Sequence, residues 1–365
     1  MNPFLVNRRI DLVDFEDLKL FMLEHDNLYC IAVPENRKRQ NLEDFQNAIL
    51  ANGPRPSTVT PDNIGTITSV RYGVFVIMHH LWTNGVNFDV LDVGSHIGDF
   101  GLKAGSFIRT SGKSSRVITF DPSEAGALVP YSIELNRLEN IVKHEMLAVS
   151  DTSGLVLFQY SPGHADAGTI VSGSPNAAGL AGIWLKRIQQ LPLRRRFIAF
   201  WQLGFAAIKR LMKGGKIDTR YSLISHSVDI LEYLKNNQIN GNLFVKVDIE
   251  GYDPRVINHL LKLLPQRKLF IIFEFTPMRF VDREDSISYL KKLSKDFHLF
   301  DLFYCPNPTR FALITPDNIP SFVAEIENRQ HGYTDLFLLD KRSPACDELL
   351  NRLGLLVPQP DSMIL

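Results

Sequence analysis

The feature that most constrains the fold of this chain is an apolar run that ends in a glycine-spaced loop. The run covers Phe88–Val93, and Gly94 and Gly98 follow it before a segment with helical spacing. An apolar run of this length predicts a buried parallel strand, and the glycines allow a tight turn into a helix. A strand, a turn and a helix in this order direct free backbone N–H groups and the positive end of a helix dipole at a ligand.

A second apolar run, Val117–Phe120, ends in an acidic residue, Asp121. A carboxylate at this place in an α/β unit is suited to accept hydrogen bonds from both hydroxyls of a ribose. His96 stands in the first loop where a dinucleotide site needs a glycine, because a pyrophosphate must approach the backbone there. The pattern therefore favours S-adenosylmethionine, which has a ribose but no pyrophosphate, over NAD.

Composition excludes several classes of protein. The chain has 365 residues, of which 45% are hydrophobic, and its 40 basic residues balance its 40 acidic ones, so no net charge favours nucleic acid. Three well-separated cysteines predict neither a disulfide framework nor a zinc site. Because no apolar window reaches the length of a membrane span and the first residues lack the apolar core of a signal peptide, we expect a cytoplasmic protein.

Strands alternate with helices through most of the chain, which predicts an α/β fold with a mainly parallel sheet and helices on both faces. We predict an N-terminal helical cap over residues 1–65, including a helix at Asp14–Glu24, an α/β domain over residues 66–342 and a tail over residues 343–365. Ligands of such sheets bind outside the carboxyl ends of the strands.

A basic insert, about residues 172–220, interrupts the alternation. Between residues 183 and 213 it combines aromatic and apolar residues with Arg and Lys. One interpretation is an amphipathic surface that lies on a membrane or covers a lipid-like or anionic substrate, which predicts a peripheral membrane contact. The other is a helical pair packed on the domain or at a dimer contact, and the sequence leaves both open.

The most specific string in the chain is Lys-Val-Asp-Ile-Glu-Gly-Tyr, from Lys246 to Tyr252. On a strand Lys246, Asp248 and Glu250 share one face. Three charges on one face of an apolar strand are costly unless they are paired or used. A purely structural interpretation is that the lysine and a carboxylate form an ion pair that only fixes the loop. Together with Glu274, the two carboxylates could also ligate Mg²⁺, but carboxylate clusters occur in metal-free sites and we do not favour a metal.

Taken in order, these motifs make the chain similar to the FkbM family of S-adenosylmethionine-dependent methyltransferases. The similarity covers roughly residues 86–305 and depends on six strings, which are Asp92–Gly98, Phe120–Pro122, Asn136, Ser227–Leu231, Lys246–Gly251 and Phe273–Phe275. The resemblance implies a class I methyltransferase (Rossmann-like) fold. It also implies O-methylation of a hydroxyl on a glycan, a lipid-linked saccharide or a similar small molecule. The expectation of a lipid-linked acceptor depends only on the basic insert.

The resemblance also implies roles for single residues. The cofactor-binding residues are Asp92, Gly94, Ser95, Gly98, Asp121 and Ala148, with Asp121 at the ribose and Ala148 beside the adenine. Methyl transfer needs the acceptor oxygen, the methyl group and the sulfur on one line, and a base that activates the hydroxyl. Asp248 is the first choice for the base or the acceptor-orienting group and Glu250 the second. Lys246 would fix both carboxylates, and Glu274 would complete an acidic rim.

The chain departs from the family in the glycine loop. Members commonly have Ala-Asn where this chain has Ser95-His96, and often an aromatic residue at the position of Asp99. His96 and His226 are further candidates for a base near neutral pH, although we favour simple polar contacts for both.

Two other functions compete with methyl transfer. One is a nucleotide-sugar or NAD-dependent enzyme, against which the imidazole in the glycine loop argues. The other is a non-catalytic, membrane-associated binding protein that has retained the fold, against which the intact acidic and glycine motifs argue.

Overall fold

The computed structural model describes residues 10–15, 18–23, 74, 77–161, 164–170, 221–302, 312–329 and 332–343. The predicted basic insert and all but the first residue of the predicted tail lie outside these residues. Among the helices of the described ranges, none is both long and apolar enough to cross a membrane.

The described strands are β1 (Ile10–Phe15), β2 (Leu18–Leu23), β3 (Phe88–Val93), β4 (Val117–Phe120), β5 (Val142–Glu145), β6 (Ala148–Ser150), β7 (Gly154–Ser161), β8 (His164–Ile170), β9 (Tyr221–Asp229), β10 (Asn242–Val247), β11 (Leu269–Phe275), β12 (Phe297–Asp301), β13 (Ala312–Ile314) and β14 (Thr334–Asp340). The described helices are α1 (residues 77–83), α2 (Asp99–Ser111), α3 (Val129–Leu135), α4 (Ile230–Asn236), α5 (Asp253–Leu260), α6 (Arg283–Asp296) and α7 (Ile319–Asn328).

A mixed sheet of eight described strands forms the centre, in the order β5-β4-β3-β10-β11-β14-β12-β13. The neighbouring pairs β5–β4, β4–β3, β3–β10 and β10–β11 are parallel, whereas β14 is antiparallel to both β11 and β12. The prediction of an α/β fold with a mainly parallel sheet is therefore confirmed. The chain order reverses between β3 and β10, and in open α/β sheets such a switch point opens a crevice at the carboxyl ends of the strands.

Two apolar cores cover the two faces of this sheet because successive side chains of a strand point to opposite faces. Val90 and Phe244 pack in one core with residues of α1 and α2. Their neighbours Leu91 and Val245 pack in the other core with residues of α4, α5, α6 and α7. Helices thus lie on both faces, as the alternation of strands and helices predicts.

Two local predictions are wrong. The predicted helix at Asp14–Glu24 is an antiparallel hairpin, in which Phe15 of β1 pairs with Leu18 of β2, so the cap is not helical there. Leu18, Phe21 and Met22 have helical spacing, but the alternation of apolar and charged residues around them also fits strands. The sequence also predicts one strand near Ile141–Val149, but the structure has two there, because β5 joins the central sheet and β6 joins a smaller one with the order β6-β9-β7-β8.

Candidate active site

The backbone of the loop after β3 is held by the protein itself. The N–H groups of Gly94 and Ser95 both donate to the Phe120 carbonyl, at 2.9 and 3.0 Å, and the N–H of Gly98 donates to the Ser95 carbonyl at 2.7 Å. The prediction that this turn presents free N–H groups to a ligand is wrong for these three amides. The loop is instead anchored to the end of β4 through the amides of Gly94 and Ser95.

Asp121 has a structural task that its sequence position does not indicate. Its Oδ2 accepts a hydrogen bond from the His96 N–H and its Oδ1 accepts one from the Ser123 N–H, both at 2.8 Å. Burial raises the pKa of the Asp121 carboxyl. Each carboxylate oxygen has a second lone pair, so the predicted ribose contact stays open to it. Asp121 therefore connects the two loops that the sequence assigns to the cofactor.

The glycine loop and the Lys246–Tyr252 string meet through their backbones. Gly94 has φ +77°, and a Cβ at this position would lie 1.9 Å from the carbonyl oxygen of Asp248. The Asp248 N–H donates to the Val93 carbonyl at 2.9 Å. Only glycine fits at position 94, because any Cβ would clash with the Asp248 carbonyl and because the backbone there is left-handed, which residues with a side chain rarely adopt. The glycine that suggested a turn is therefore also the contact between the two motifs.

Lys246 connects the same two motifs by charge. It lies directly opposite Asp92 in the β3–β10 pair. Its Nζ is 3.0 Å from Asp248 Oδ2 and 3.6 Å from Asp92 Oδ1, and it donates to the Gly94 carbonyl at 3.3 Å. Burial raises the pKa of Asp92 to about 6, against the opposing effect of Lys246. Lys246 therefore holds Asp248, as predicted, but its second carboxylate partner is Asp92, and the predicted partner Glu250 is bound by Arg279 instead.

Asp248, Glu250 and Glu274 form a cluster that we call the carboxylate rim. One carboxylate oxygen from each lies within 4.8 Å of the others. A fourth residue, Arg279, joins the rim: its Nη1 is 3.0 Å from Glu274 Oε1, and its Nη2 donates to Glu250 Oε2. Arg279 is not among the site residues predicted from the sequence, in which its only signal is a basic residue five positions after Glu274.

Two of the three carboxyls of the rim, those of Glu250 and Glu274, bind protons more strongly than ordinary carboxyls do. Burial raises the pKa of Glu250 to about 8 and that of Glu274 to about 7, while Arg279 opposes both shifts. Glu274 also lies directly opposite Asp335 in the β11–β14 pair, and burial followed by the charge of Glu274 raises the pKa of Asp335 well above its usual range. Carboxyls that titrate near neutral pH are suited to general acid–base work.

The turn that carries the rim is under backbone strain. Glu250 has φ +54° and Gly251 has φ +97°. The carboxylate of Asp253 fixes this turn, since it accepts hydrogen bonds from the N–H groups of Ile249 and Gly251 at 3.1 and 2.8 Å. His96, in the other motif, has φ +52°. A non-glycine residue in this region costs on the order of 1 kcal/mol, and such residues concentrate at functional sites.

Three other predicted residues lie on the smaller sheet or beside it. Ala148 is buried in β6 and pairs in register with Ser227, so its place beside an adenine stays a prediction. His226 is exposed on β9, opposite Leu155. Asp229, from the fourth matching string, is the N-cap of α4 and also contacts Nε2 of His259 at 2.9 Å. That string therefore starts a helix.

Comparison of the chain with protein-family models, with curated proteins and with solved structures finds no match in any of the three. The functional interpretation therefore depends on the motifs and on the geometry that brings them together.

Proposed function

We propose that this protein is an S-adenosylmethionine-dependent O-methyltransferase whose active site lies where the carboxyl ends of β3 and β10 meet. One observation carries the proposal. The Asp-x-Gly-x-x-x-Gly loop and the Lys-x-Asp-x-Glu-Gly string, far apart in the sequence, are interlocked through Gly94, Asp248 and Lys246. Both motifs contribute to the resemblance to the FkbM family, and both lie at the carboxyl ends of the strands, where open α/β sheets bind their ligands.

The directions of the strands favour this class over dinucleotide-binding enzymes. The dinucleotide-binding sheet of six strands is mostly parallel. Here three neighbouring pairs, β11–β14, β14–β12 and β12–β13, are antiparallel, so the sheet departs from that arrangement. His96 in place of a glycine argues in the same direction.

The residues of the site fit the proposed cofactor, which supplies a methyl group activated on a sulfonium. Asp121 retains lone pairs for the ribose hydroxyls. In the described part of the chain, Ser95 Oγ is buried without a hydrogen-bond partner, and a buried polar atom of this kind calls for one. It is suited to the charged amino acid end of the cofactor. The surplus of carboxylates over cations suits a positively charged sulfonium.

The carboxylates that could contact the acceptor differ in their surroundings: Asp248 is accessible, whereas Glu250 and Glu274 both bind Arg279. The Asp248 side chain is 41% exposed and is oriented by Lys246, so it is the group that we expect to take the proton of the acceptor hydroxyl. Glu250 and Glu274, joined by Arg279, would bind neighbouring hydroxyls. Several convergent carboxylates favour a polyhydroxylated acceptor such as a glycan, since each hydroxyl can donate to one of them.

Calorimetric titration with S-adenosylhomocysteine, its 2′-deoxy analogue and NAD tests the cofactor. We expect micromolar binding of the first compound, no binding of NAD, and a loss of about 10- to 100-fold for the deoxy analogue if Asp121 accepts a ribose hydroxyl. Changing the ligand is cleaner than changing Asp121, because that residue also holds the loop. Asp89→Ala is the control and should bind as the wild type does. A folded protein that binds neither adenosyl compound would contradict the proposal.

A further inference from the structure

We propose that Arg279 takes the place of a divalent cation at the carboxylate rim, so that the site works without a metal and Arg279 is the residue that positions Glu250 and Glu274. The positioning part rests on the proposed function. The exclusion of a metal does not, and it can be tested alone.

The geometry of the rim is the first support. Three carboxylate oxygens within 4.8 Å of one another are a spacing that one cation could bridge. The guanidinium of Arg279 already bridges two of these three residues, with one nitrogen 3.0 Å from Glu274 and another donating to Glu250. The planar guanidinium can donate to two carboxylates at once in a fixed geometry. A metal ion held by the same residues would lie beside a permanent positive charge, so Arg279 and a metal exclude each other.

Arg279 is fixed in place by the surrounding chain. It ends a 3-10 turn, Pro277–Arg279, that follows β11 directly, and its N–H donates to the Thr276 carbonyl at 2.9 Å. Its aliphatic part lies on Gly251, where a Cβ would be 3.0 Å from the Arg279 Cδ. Because the side chain is already ordered, little conformational entropy remains to be lost when an acceptor binds.

The charge of Arg279 also adjusts the proton affinity of the rim. Burial raises the pKa values of Glu250 and Glu274, and Arg279 opposes both shifts. Without the guanidinium, both carboxyls would stay protonated to a higher pH. Arg279 therefore extends toward neutral pH the range in which both are ionised and can accept hydrogen bonds from the hydroxyls of an acceptor.

The test is Mn²⁺ binding, followed by the loss of the free-ion signal in electron paramagnetic resonance. Wild type, Arg279→Gln, Arg279→Lys and the double variant Arg279→Gln/Glu274→Gln are compared, each shown to be folded by circular dichroism. We expect wild type and Arg279→Lys to lack a rim site below millimolar Mn²⁺. Arg279→Gln should bind at least about tenfold more tightly, through hard carboxylate ligands, and the double variant should lose this gain.

Two results would overturn the proposal. One is a micromolar Mn²⁺ site in the wild type that Glu274→Gln abolishes, a comparison that holds even if Arg279→Gln does not fold. The other is an Arg279→Gln variant that is folded and binds no better than the wild type. Neither result requires methyl transfer, so a failure here is distinct from a failure to bind S-adenosylhomocysteine.

The positioning role has its own readout once an acceptor is known. Arg279→Gln should lower kcat more than it changes KM and move the acidic limb of the pH–kcat profile up by about one pH unit, because a neighbouring cation lowers a carboxyl pKa. With Arg279→Lys, which keeps the positive charge, the acidic limb should lie close to its position in the wild type. A residue that only stabilised the fold would leave that limb where it is, and an unchanged limb would contradict the role.

Discussion

Asp89 and Asp92 lie on the same strand, three residues apart in the sequence, and show how the two ends of the central sheet differ. Near the start of β3, Asp89 accepts hydrogen bonds from the backbone and the side chain of Arg116, at 2.9 and 3.0 Å, and the Arg116 side chain is 51% exposed. Near the end of β3, Asp92 is fully buried and shares Lys246 with Asp248. The first is a surface pair that joins two strand starts, whereas the second belongs to a buried network of charges.

The neighbouring strands show the same contrast. At the start of β10, the amide of Asn242 donates to the Asn87 carbonyl at 2.8 Å and accepts from the Lys268 N–H at 3.0 Å. Neutral groups there satisfy one another. At the opposite end, the rim and its neighbours hold more carboxylates than cations. Polar groups at the strand starts serve the fold, and those at the strand ends retain capacity for a ligand.

Replacing glycines at the two ends should produce the largest difference. Gly94→Ala puts a Cβ 1.9 Å from the Asp248 carbonyl oxygen in a left-handed backbone, and we expect it to cost about 4 kcal/mol from overpacking and strain together. Gly112, at the C-cap of α2, has φ +65° and open space around it, so Gly112→Ala should cost only about 1 kcal/mol. Urea unfolding measures both, and equal losses would contradict the close contact.

The next largest difference in the free energy of unfolding should come from removing the cation that pairs with Asp92 and the cation that pairs with Asp89. Lys246→Met leaves Asp92 buried without its nearest cation and should lower the free energy of unfolding by about 3 kcal/mol near neutral pH. Arg116→Met should cost less than about 1 kcal/mol, because that pair is largely exposed. The Lys246→Met loss should shrink below about pH 6, since Asp92 is then neutral in the folded state. Denaturant titration at two pH values checks this, and a loss that grows on acidification would refute the buried network.

The rim predicts a pH dependence of stability. Because the pKa values of Glu250 and Glu274 are raised from the ordinary 4.5 to about 8 and about 7 in the folded state, the folded protein keeps protons that the unfolded chain releases. The free energy of unfolding therefore falls as the pH rises from about 4.5 to about 8. Glu274→Gln should flatten the fall by on the order of 1 kcal/mol, whereas Asp89→Asn should leave it unchanged. Tm against pH is the measurement, and a parallel curve for Glu274→Gln would count against the raised pKa.

The smallest effect concerns the N-cap of α4. Asp229 accepts hydrogen bonds from the N–H groups of Leu231 and Glu232, at 2.8 and 3.2 Å, so Asp229→Ala should cost about 1 kcal/mol. Its affinity for S-adenosylhomocysteine should equal that of the wild type when both proteins are fully folded. A specific loss of that affinity would place this string in the site after all.

The sequence predicts the interior of the sheet better than its periphery. β3 and β4 have the predicted boundaries, because each is a short apolar run bounded by a turn or an acid. β9, α4 and α7 are not predicted, because β9 directly follows the basic insert and both helices are short, although a proline in the first turn of α7 is a helix-start signal. Short elements with mixed polarity are decided by tertiary packing.

The site is predictable in its residues and not in their contacts. The acids and glycines stand at strand ends that the apolar pattern identifies. The contact of Gly94 with Asp248, the anchoring of the loop by Asp121 and the bridge made by Arg279 arise only when β3, β4, β10 and β11 are side by side. Single-sequence patterns contain no information on such distant pairs.

We propose that the carboxyl ends of the strands bind an S-adenosyl compound and that the starts of the strands do not. Hydrogen–deuterium exchange with and without S-adenosylhomocysteine tests it on the whole chain. We predict slower exchange in residues 94–101, 119–123 and 246–251, and no change in residues 113–117 and 139–142 at the opposite end. Protection at the opposite end, or none anywhere at a saturating concentration, would contradict the claim.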